Sequence, residues 1–388
     1  MHALRSYLPV IKDRIRARRF DSLILFVTSR CNSLCRTCFY FDQLNSKDDL
    51  SADQLERLAA TAPPFRKLWI SGGEPFLRDE LAEIIARFVR RCGVRNVNLP
   101  TNGLAAGKIF AAVDRLLSSC PELTIDLNFS LDGLANTHDA IRRVPGNFER
   151  TLATIRETGR RFCGVRRLRR NVLTVITREN YDEIVALGLE LLEREDLDGH
   201  YFQVVRGAAP DPSLKILSRE GLERLHQKLM RIHRRYAERL FAHLPAAARA
   251  FATLYYLGNL RLHFDLHESC LESPSRWPMP CTAGNTTLVI DHNGNFRACE
   301  LRSVLGNLAE FDFDLSRALE SDALRAETRA IATANCWCTH SCFIHDSSKF
   351  QPSVQLFHIP WAFFRHKLGR FPELSANELD RFKALDLA

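Results

Sequence analysis

From residue 22 onward, short apolar runs alternate with longer segments whose apolar positions recur every three or four residues. The runs 22–28 (SLILFVT), 67–73 (KLWISGG), 94–103, 123–133, 169–177 and 200–207 read as strands. Between them, 51–60, 78–93, 108–120, 147–161 and 181–195 carry helical spacing, with Ser51 as a cap on the first and Gly93 as a stop on the second. Strict alternation of strand and helix predicts a parallel sheet with right-handed crossovers. Six units are too few for a closed eight-stranded barrel. The expected fold is therefore α/β, an open, TIM-like partial (β/α)6 barrel. Each unusual polar run follows a strand directly: TSRCNSLC, SGGEP, PTNG and SLDG. In parallel barrels that end of the strands carries the site.

Beyond the barrel the pattern changes. Residues 213–260 are almost wholly helical in spacing, broken near Pro245, and 286–301 (TTLVIDHNGNFRACEL) reads as a β-hairpin. The expected organisation is a basic N-terminal helix (1–20), the barrel (21–210), a helical linker or lid (211–270), a small cysteine-rich domain (271–345) and a C-terminal tail packing on the barrel (346–388). The basic N-terminal helix and the aromatic, basic tail 355–371 are the two places where a peripheral membrane or peptide contact would form.

Composition bounds the class. With 46% hydrophobic and 26% charged residues the 388-residue chain reads as a globular protein with ample core. Its net charge of +8 is weak evidence for an anionic partner, and no nucleic-acid partner is expected. No apolar run reaches membrane-spanning length and the N-terminus has no signal-peptide pattern, so a cytoplasmic location is expected.

Twelve cysteines then change the picture. In a reducing compartment clustered thiols are metal ligands more often than disulfides. Cys92, Cys120 and Cys163 are isolated and read as buried thiols. Cys31, Cys35 and Cys38 form C-x3-C-x2-C directly after the first strand. A disulfide loop, a zinc knuckle and an iron–sulfur cluster compete for them. Zinc usually wants four ligands. Three thiolates on a [4Fe–4S] cube leave one iron open.

This spacing, on the loop after the first strand of a partial barrel, resembles the radical S-adenosylmethionine (radical SAM) superfamily. The resemblance extends to SGGEP (71–75), TNG (101–103), SLDG (130–133) and HDAIR (138–142), in order. It implies a [4Fe–4S] cluster on Cys31, Cys35 and Cys38 whose open iron chelates SAM. It implies that Gly72, Gly73, Glu74 and Pro75 bind the SAM amine, with Asn102 nearby. Ser130 would touch the SAM carboxylate or ribose, and Asp132 would line the pocket as the one weak catalytic candidate. Many members have an aromatic residue just before the third cysteine; here it is Thr37, so Phe39 and Tyr40 are expected to contact adenine. A flavodoxin- or ferredoxin-type electron donor is implied as well.

The late cysteines have their own order. Cys281 and Cys299 flank the hairpin, Gly294 stands five positions before Cys299, and CWCTHSC supplies Cys336, Cys338 and Cys342. This resembles the opening of the SPASM and twitch extensions of radical SAM proteins. The thiols suffice for one auxiliary [4Fe–4S] cluster, on Cys281, Cys299 and Cys342 with Cys336 or Cys338 as the fourth. Zinc satisfies four thiolates equally well. Cys270 is a spare, and His340 and His345 flank the set. The resemblance implies hydrogen abstraction from substrate, with the auxiliary cluster accepting an electron or binding substrate. Peptide modification leads. Oxidation or rearrangement of a small molecule, sugar or lipid head group is the alternative, because residues 1–20 are short for a peptide-binding wing. A non-catalytic cluster scaffold would have no need of the SGGEP and SLDG runs.

Overall fold

The computed structural model describes residues 20–215, 217–272 and 277–368. The expectations for the N-terminal helix and for the tail beyond residue 368 fall outside the described residues. Strands β1 (Ser22–Thr28), β2 (Lys67–Gly72), β3 (Asn96–Thr101), β4 (Thr124–Ser130), β5 (Leu168–Ile176) and β6 (Gly199–Val204) are all parallel. Helices α1 (Ala52–Thr61), α2 (Leu81–Cys92), α3 (Ala106–Ser119), α5 (Asn147–Arg161) and α6 (Ile184–Arg194) connect them as the periodicity requires. Ser51 caps α1 in a reciprocal box with Gln54, and Gly93 ends α2 in the left-handed conformation. One element is additional: HDAIR lies in a short helix, α4 (Ala135–Arg142).

The sheet does not close. Its order is β6-β5-β4-β3-β2-β1-β7-β8-β9, so the partial barrel continues into the C-terminal region. β7 (Thr287–Ile290) pairs parallel with β1 in the register Ser22↔Thr287, and β8 (Asn295–Arg297) and β9 (Gly306–Asn307) follow antiparallel. The N–H groups of Asp21 and Ser22 both donate to the Thr286 carbonyl, at 2.8 and 3.0 Å. The cysteine-bearing hairpin therefore extends the barrel's own sheet.

β1 and β7 are buried throughout, whereas β2 to β6 bury one face more than the other. Leu68, Ile70, Val97, Leu99, Ile125, Leu127, Val172 and Phe202 are buried on the face that meets the helices. The opposite face carries Lys67, Trp69, Asn98, Asp126, Asn128, Arg169, Asn171 and Gln203. Closed barrels fill this face with branched apolar side chains; here it is a hydrogen-bonding surface. Arg169 Nε lies 2.6 Å from Asp126 Oδ1, and Asn96 Nδ2 donates to Asp126 Oδ2 at 2.7 Å. Asn171 Nδ2 donates to Asn128 Oδ1 at 3.2 Å.

Helices α7 (Arg219–Phe241) and α8 (Ala246–Glu272) form the helical hairpin that Pro245 predicts. Two short helices, α9 (Leu315–Leu319) and α10 (Asp322–Thr333), follow β9, and then α11 (Ser341–Lys349) and α12 (Ile359–Leu368). α12 lies along α8. A Cβ on Gly258 would sit 2.4 Å from the Ile359 carbonyl oxygen, so the two helices meet backbone to backbone there. Leu356, Phe357, Trp361 and Phe364 face outward, around a hollow of about 480 Å³ that none of the cysteines lines. No helix among the described residues is long and apolar enough to cross a membrane.

The helical hairpin buries an unusual number of histidines. The His226 ring stacks on Phe264 with centroids 3.9 Å apart, and its Nδ1 lies 2.7 Å from Glu268 Oε1. Burial pushes His226 and His263 well below the usual imidazole range, and His233 and His267 to about 3. The unfolded chain then binds more protons than the folded one below about pH 6.5, so the stability present above that pH is lost as pH falls. The urea midpoint followed by far-UV circular dichroism is expected to fall between pH 7.5 and 5.5. His233→Asn should flatten the slope by up to about 1.4 kcal/mol per pH unit, one proton's linkage; an unchanged slope would refute the assignment.

Candidate active site

The loop after β1 carries the first cysteine set and is held from below by β2. Gly73 N–H donates to the Thr28 carbonyl and Glu74 N–H to the Arg30 carbonyl, both at 2.8 Å. A Cβ on Gly72, where φ is +114°, would lie 2.3 Å from Thr28 O, and one on Gly73 would lie 2.2 Å from Arg30 O. Only a Gly-Gly pair lets the two backbones touch at this point. Asn45 Oδ1 accepts from Cys31 N–H at 2.9 Å and fixes where the loop begins.

The three thiols lie in a dry environment. Burial pushes Cys31 up to about 12 and Cys38 to about 11, against the lowering effect of the Ser33 and Tyr40 N–H groups on their sulfurs. Burial also raises Cys35, and Arg142, whose Nη1 is 3.7 Å from its Sγ, opposes that. Neutral thiols are favoured here until a cation supplies the compensating charge. N–H donors aimed at the sulfurs and the Arg142 charge both favour thiolates, so the donor set fits a positively charged iron centre.

The flanking motifs converge on this loop, several of them indirectly. Glu74 is 2% exposed; its oxygens accept from Phe76 N–H at 3.2 Å, Thr101 Oγ1 at 3.0 Å and Asn102 N–H at 2.7 Å. Burial raises its carboxyl to about 7 against those donors. Asn102 Nδ2 donates to Asn32 Oδ1 at 2.7 Å and Ser33 Oγ at 3.1 Å, which ties the TNG turn to the cysteine loop. Pro75 opens a buried single turn after Glu74, and Ser130 ends β4 partly exposed.

Three expectations need correction. Asp132 does not line a pocket: it is 0% exposed, its Oδ1 accepts from Val175 N–H at 2.8 Å, and its Oδ2 lies 2.7 Å from Arg142 Nη2. It reaches Cys35 only through Arg142. Tyr40 is turned away, its hydroxyl bonded to His292 Nδ1 in the hairpin turn and its ring against Phe26. Only Phe39 of the aromatic pair is partly open. Among the isolated thiols, Cys163 is exposed rather than buried.

The second set gathers at the end of the hairpin. Cys299 Sγ accepts from Leu301 N–H at 3.5 Å and Cys338 Sγ from His340 N–H at 3.4 Å, and the Ala283 N–H lies on Cys281. Cys336 instead uses its own N–H on the Ile331 carbonyl. Burial pushes Cys281 to about 11 and Cys338 and Cys342 to about 12, and raises Cys299 well above the usual thiol range. Among the described residues no three His, Cys, Asp or Glu side chains converge on the position of one metal ion. Four thiolates satisfy one zinc or one [4Fe–4S] cube alike.

Sequence reasoning missed the charged residues around both sets. Arg142 ends the HDAIR run, and its reach to Cys35 is tertiary. Arg206 follows β6, and Glu300 follows Cys299. Glu300 lies 3.2 Å from Arg206 Nη2 and is bonded to His340 Nε2. Burial alone would push Glu300 up, but His340 and Arg206 outweigh it and hold it at about 2. The signal in the sequence was adjacency for two of them: Arg206 stands just after a strand and Glu300 beside a cysteine, whereas Arg142 ends a helix and gave none. A cavity of about 540 Å³ opens between the two sets, lined by Phe39, Gly207, Ala208, Arg297 and residues 300–303.

The radical SAM superfamily model matches residues 25–190. Pre-heme d1 synthase of Dinoroseobacter shibae is 32% identical over 179 residues, 45% of this chain and 41% of that protein. GTP 3′,8-cyclase of Geobacter sulfurreducens is 38% identical over 146 residues, 35% of this chain and 41% of that protein. The chain thus spans less than half the length of these two relatives. Streptococcus suis SuiB shares the fold with a TM-score of 0.54 at 15% identity, over 92% of this chain and 80% of that one. anSMEcpe, solved with AdoMet and the Cp18Cys peptide, does so with a TM-score of 0.54 at 16% identity, over 90% and 95%. With its barrel strands and its ordered motifs, the segment 25–190 is a radical SAM domain.

Proposed function

We propose that the chain cleaves SAM reductively at a [4Fe–4S] cluster held by Cys31, Cys35 and Cys38, and that the resulting radical modifies a peptide. When bound, the cluster supplies the electron that breaks the C5′–S bond of SAM, and the 5′-deoxyadenosyl radical takes hydrogen from substrate. The observation that carries this reading is the backbone crossing of Gly72 and Gly73 on the cysteine loop. It brings the SGGEP backbone against the loop that carries the three thiols, and the Gly72–Pro75 backbone is the proposed surface for the SAM amine. Ser130 faces the carboxylate or ribose, and Phe39 is the adenine contact that Tyr40 does not provide.

Glu74, Asn102 and Asp132 act behind that surface. Glu74 keeps the ends of β2 and β3 together; a carboxylate has about four acceptor sites, so one more donor, the SAM amine, still has a place. Asn102 sets the cysteine loop through Asn32 and Ser33, and Asp132 aims Arg142 at Cys35. These are positioning roles.

The second set is proposed to hold one auxiliary [4Fe–4S] cluster through Cys281, Cys299 and Cys342. The His340 N–H on its sulfur favours Cys338 over Cys336 as the fourth ligand. The peptide reading draws on SuiB, solved with its precursor peptide SuiA, and on anSMEcpe with Cp18Cys. The polar inner face of the barrel supports a second reading, a small hydrophilic substrate, and it argues against a lipid tail inside. A flavodoxin- or ferredoxin-type protein is the proposed electron donor.

Cys35→Ala is expected to abolish 5′-deoxyadenosine formation from SAM and dithionite by the reconstituted protein; cleavage at the wild-type rate would end the assignment. Iron analysis with Mössbauer spectra is expected to find about eight irons in wild type, and about four in Cys31/Cys35/Cys38→Ala or in Cys299→Ala, counting about four per cube. Eight irons in Cys299→Ala would remove the auxiliary cluster.

A further inference from the structure

Arg206 touches both cysteine neighbourhoods. Its guanidinium carbon stands 4.5 Å from the centroid of Phe39, the residue after Cys38. Its Nη2 lies 3.2 Å from Glu300 Oε2, beside Cys299, and its Nη1 donates to Gln203 Oε1 at 2.7 Å. Glu300 in turn is bonded to His340, between Cys338 and Cys342. A continuous line of contacts thus runs from the first cysteine loop through Arg206 and Glu300 to the second.

One donor on this line is unused: Arg206 Nε is buried without a hydrogen-bond partner among the described residues. A guanidinium N–H can only donate, and leaving it buried and unpaired is costly. A centre rich in negative charge on the second cysteine set, beside Glu300 and His340, would give this N–H an acceptor.

We infer that Arg206 and Glu300 form an opposed charge pair that sets the reduction potential of the auxiliary cluster, with Arg206 the positioning residue that also holds this pair against the first cysteine loop. This rests on the auxiliary-cluster reading above. Net charge and N–H donors near the sulfurs are among the levers that set the potential of such centres. A cation with a free N–H stabilises the reduced, more negative form; a buried carboxylate opposes it. Phe39 and Gln203 fix the guanidinium in place, and the planar fork of Arg suits stacking and pairing together as Lys does not.

The test is an EPR-monitored redox titration of the full chain carrying Cys31, Cys35 and Cys38 changed to Ala, so that the second centre alone is read. Arg206→Gln is expected to lower its potential and Glu300→Gln to raise it, with Arg206→Lys between Arg206→Gln and the parent. Opposite signs mark a charge effect, since a packing defect has no reason to change direction with the sign removed. Unshifted potentials, or shifts of one sign, with about four irons still bound per chain, overturn the inference. If Arg206→Gln fails to load iron, Glu300→Gln and Arg206→Lys decide it by the same signs. A parent chain with no iron at the second set overturns the auxiliary-cluster reading and this inference with it, a result distinct from unshifted potentials in a loaded protein.

Discussion

The arrangement of this molecule depends on one strand being held on both edges and at its end. β1 pairs with β2 on one side and with β7 on the other, and the first cysteine loop begins where it stops. The Gly72–Gly73 backbone then rises against Thr28 and Arg30 at a distance no side chain allows. A strand buried along its whole length and paired on both edges cannot shift register without breaking both ladders. The three thiols inherit their placement from that constraint. Everything else at this end of the barrel is arranged with respect to the loop: Asn102 through Asn32 and Ser33, Arg142 through Cys35, and Tyr40 through His292.

Each cysteine set is built with its own counter-charge. Burial opposes thiolates at every one of the candidate positions with a resolved shift, so a loaded centre needs N–H donors and cations supplied by the fold. Arg142, itself held by the enclosed Asp132, serves the first set, and Arg206 with Glu300 serves the second. Asp132 is therefore important without touching the cavity. Its removal would leave Arg142 buried beside the thiols without its carboxylate, a costly state.

The C-terminal hairpin joins the two halves. It continues the sheet through β7, its turn receives Tyr40 and Ser46 through His292, and its far end carries Cys299. The cavity between the sets is bounded by Phe39 on one side and residues 300–303 on the other, so both halves of the chain shape it. The inner face of the barrel adds a polar surface, with Asp126 neutralised by Arg169.

The sequence by itself determined the barrel units and the motif loops. Strand and helix periods are local properties of consecutive residues, and the C-x3-C-x2-C, SGGEP, TNG and SLDG runs sit at strand ends that the period locates. Even the hairpin at 286–301 was legible from its turn chemistry. What only the tertiary structure decided were the partners. That β7 would add to β1, that Tyr40 would face His292 and leave Phe39 at the cavity, that Asp132 would be enclosed, and that Arg206 would reach Glu300 all depend on contacts between residues 43 to 265 positions apart. No local pattern encodes such pairings, because hydrogen bonds and ion pairs between distant segments are fixed by how the strands register and stack, after each strand has already formed.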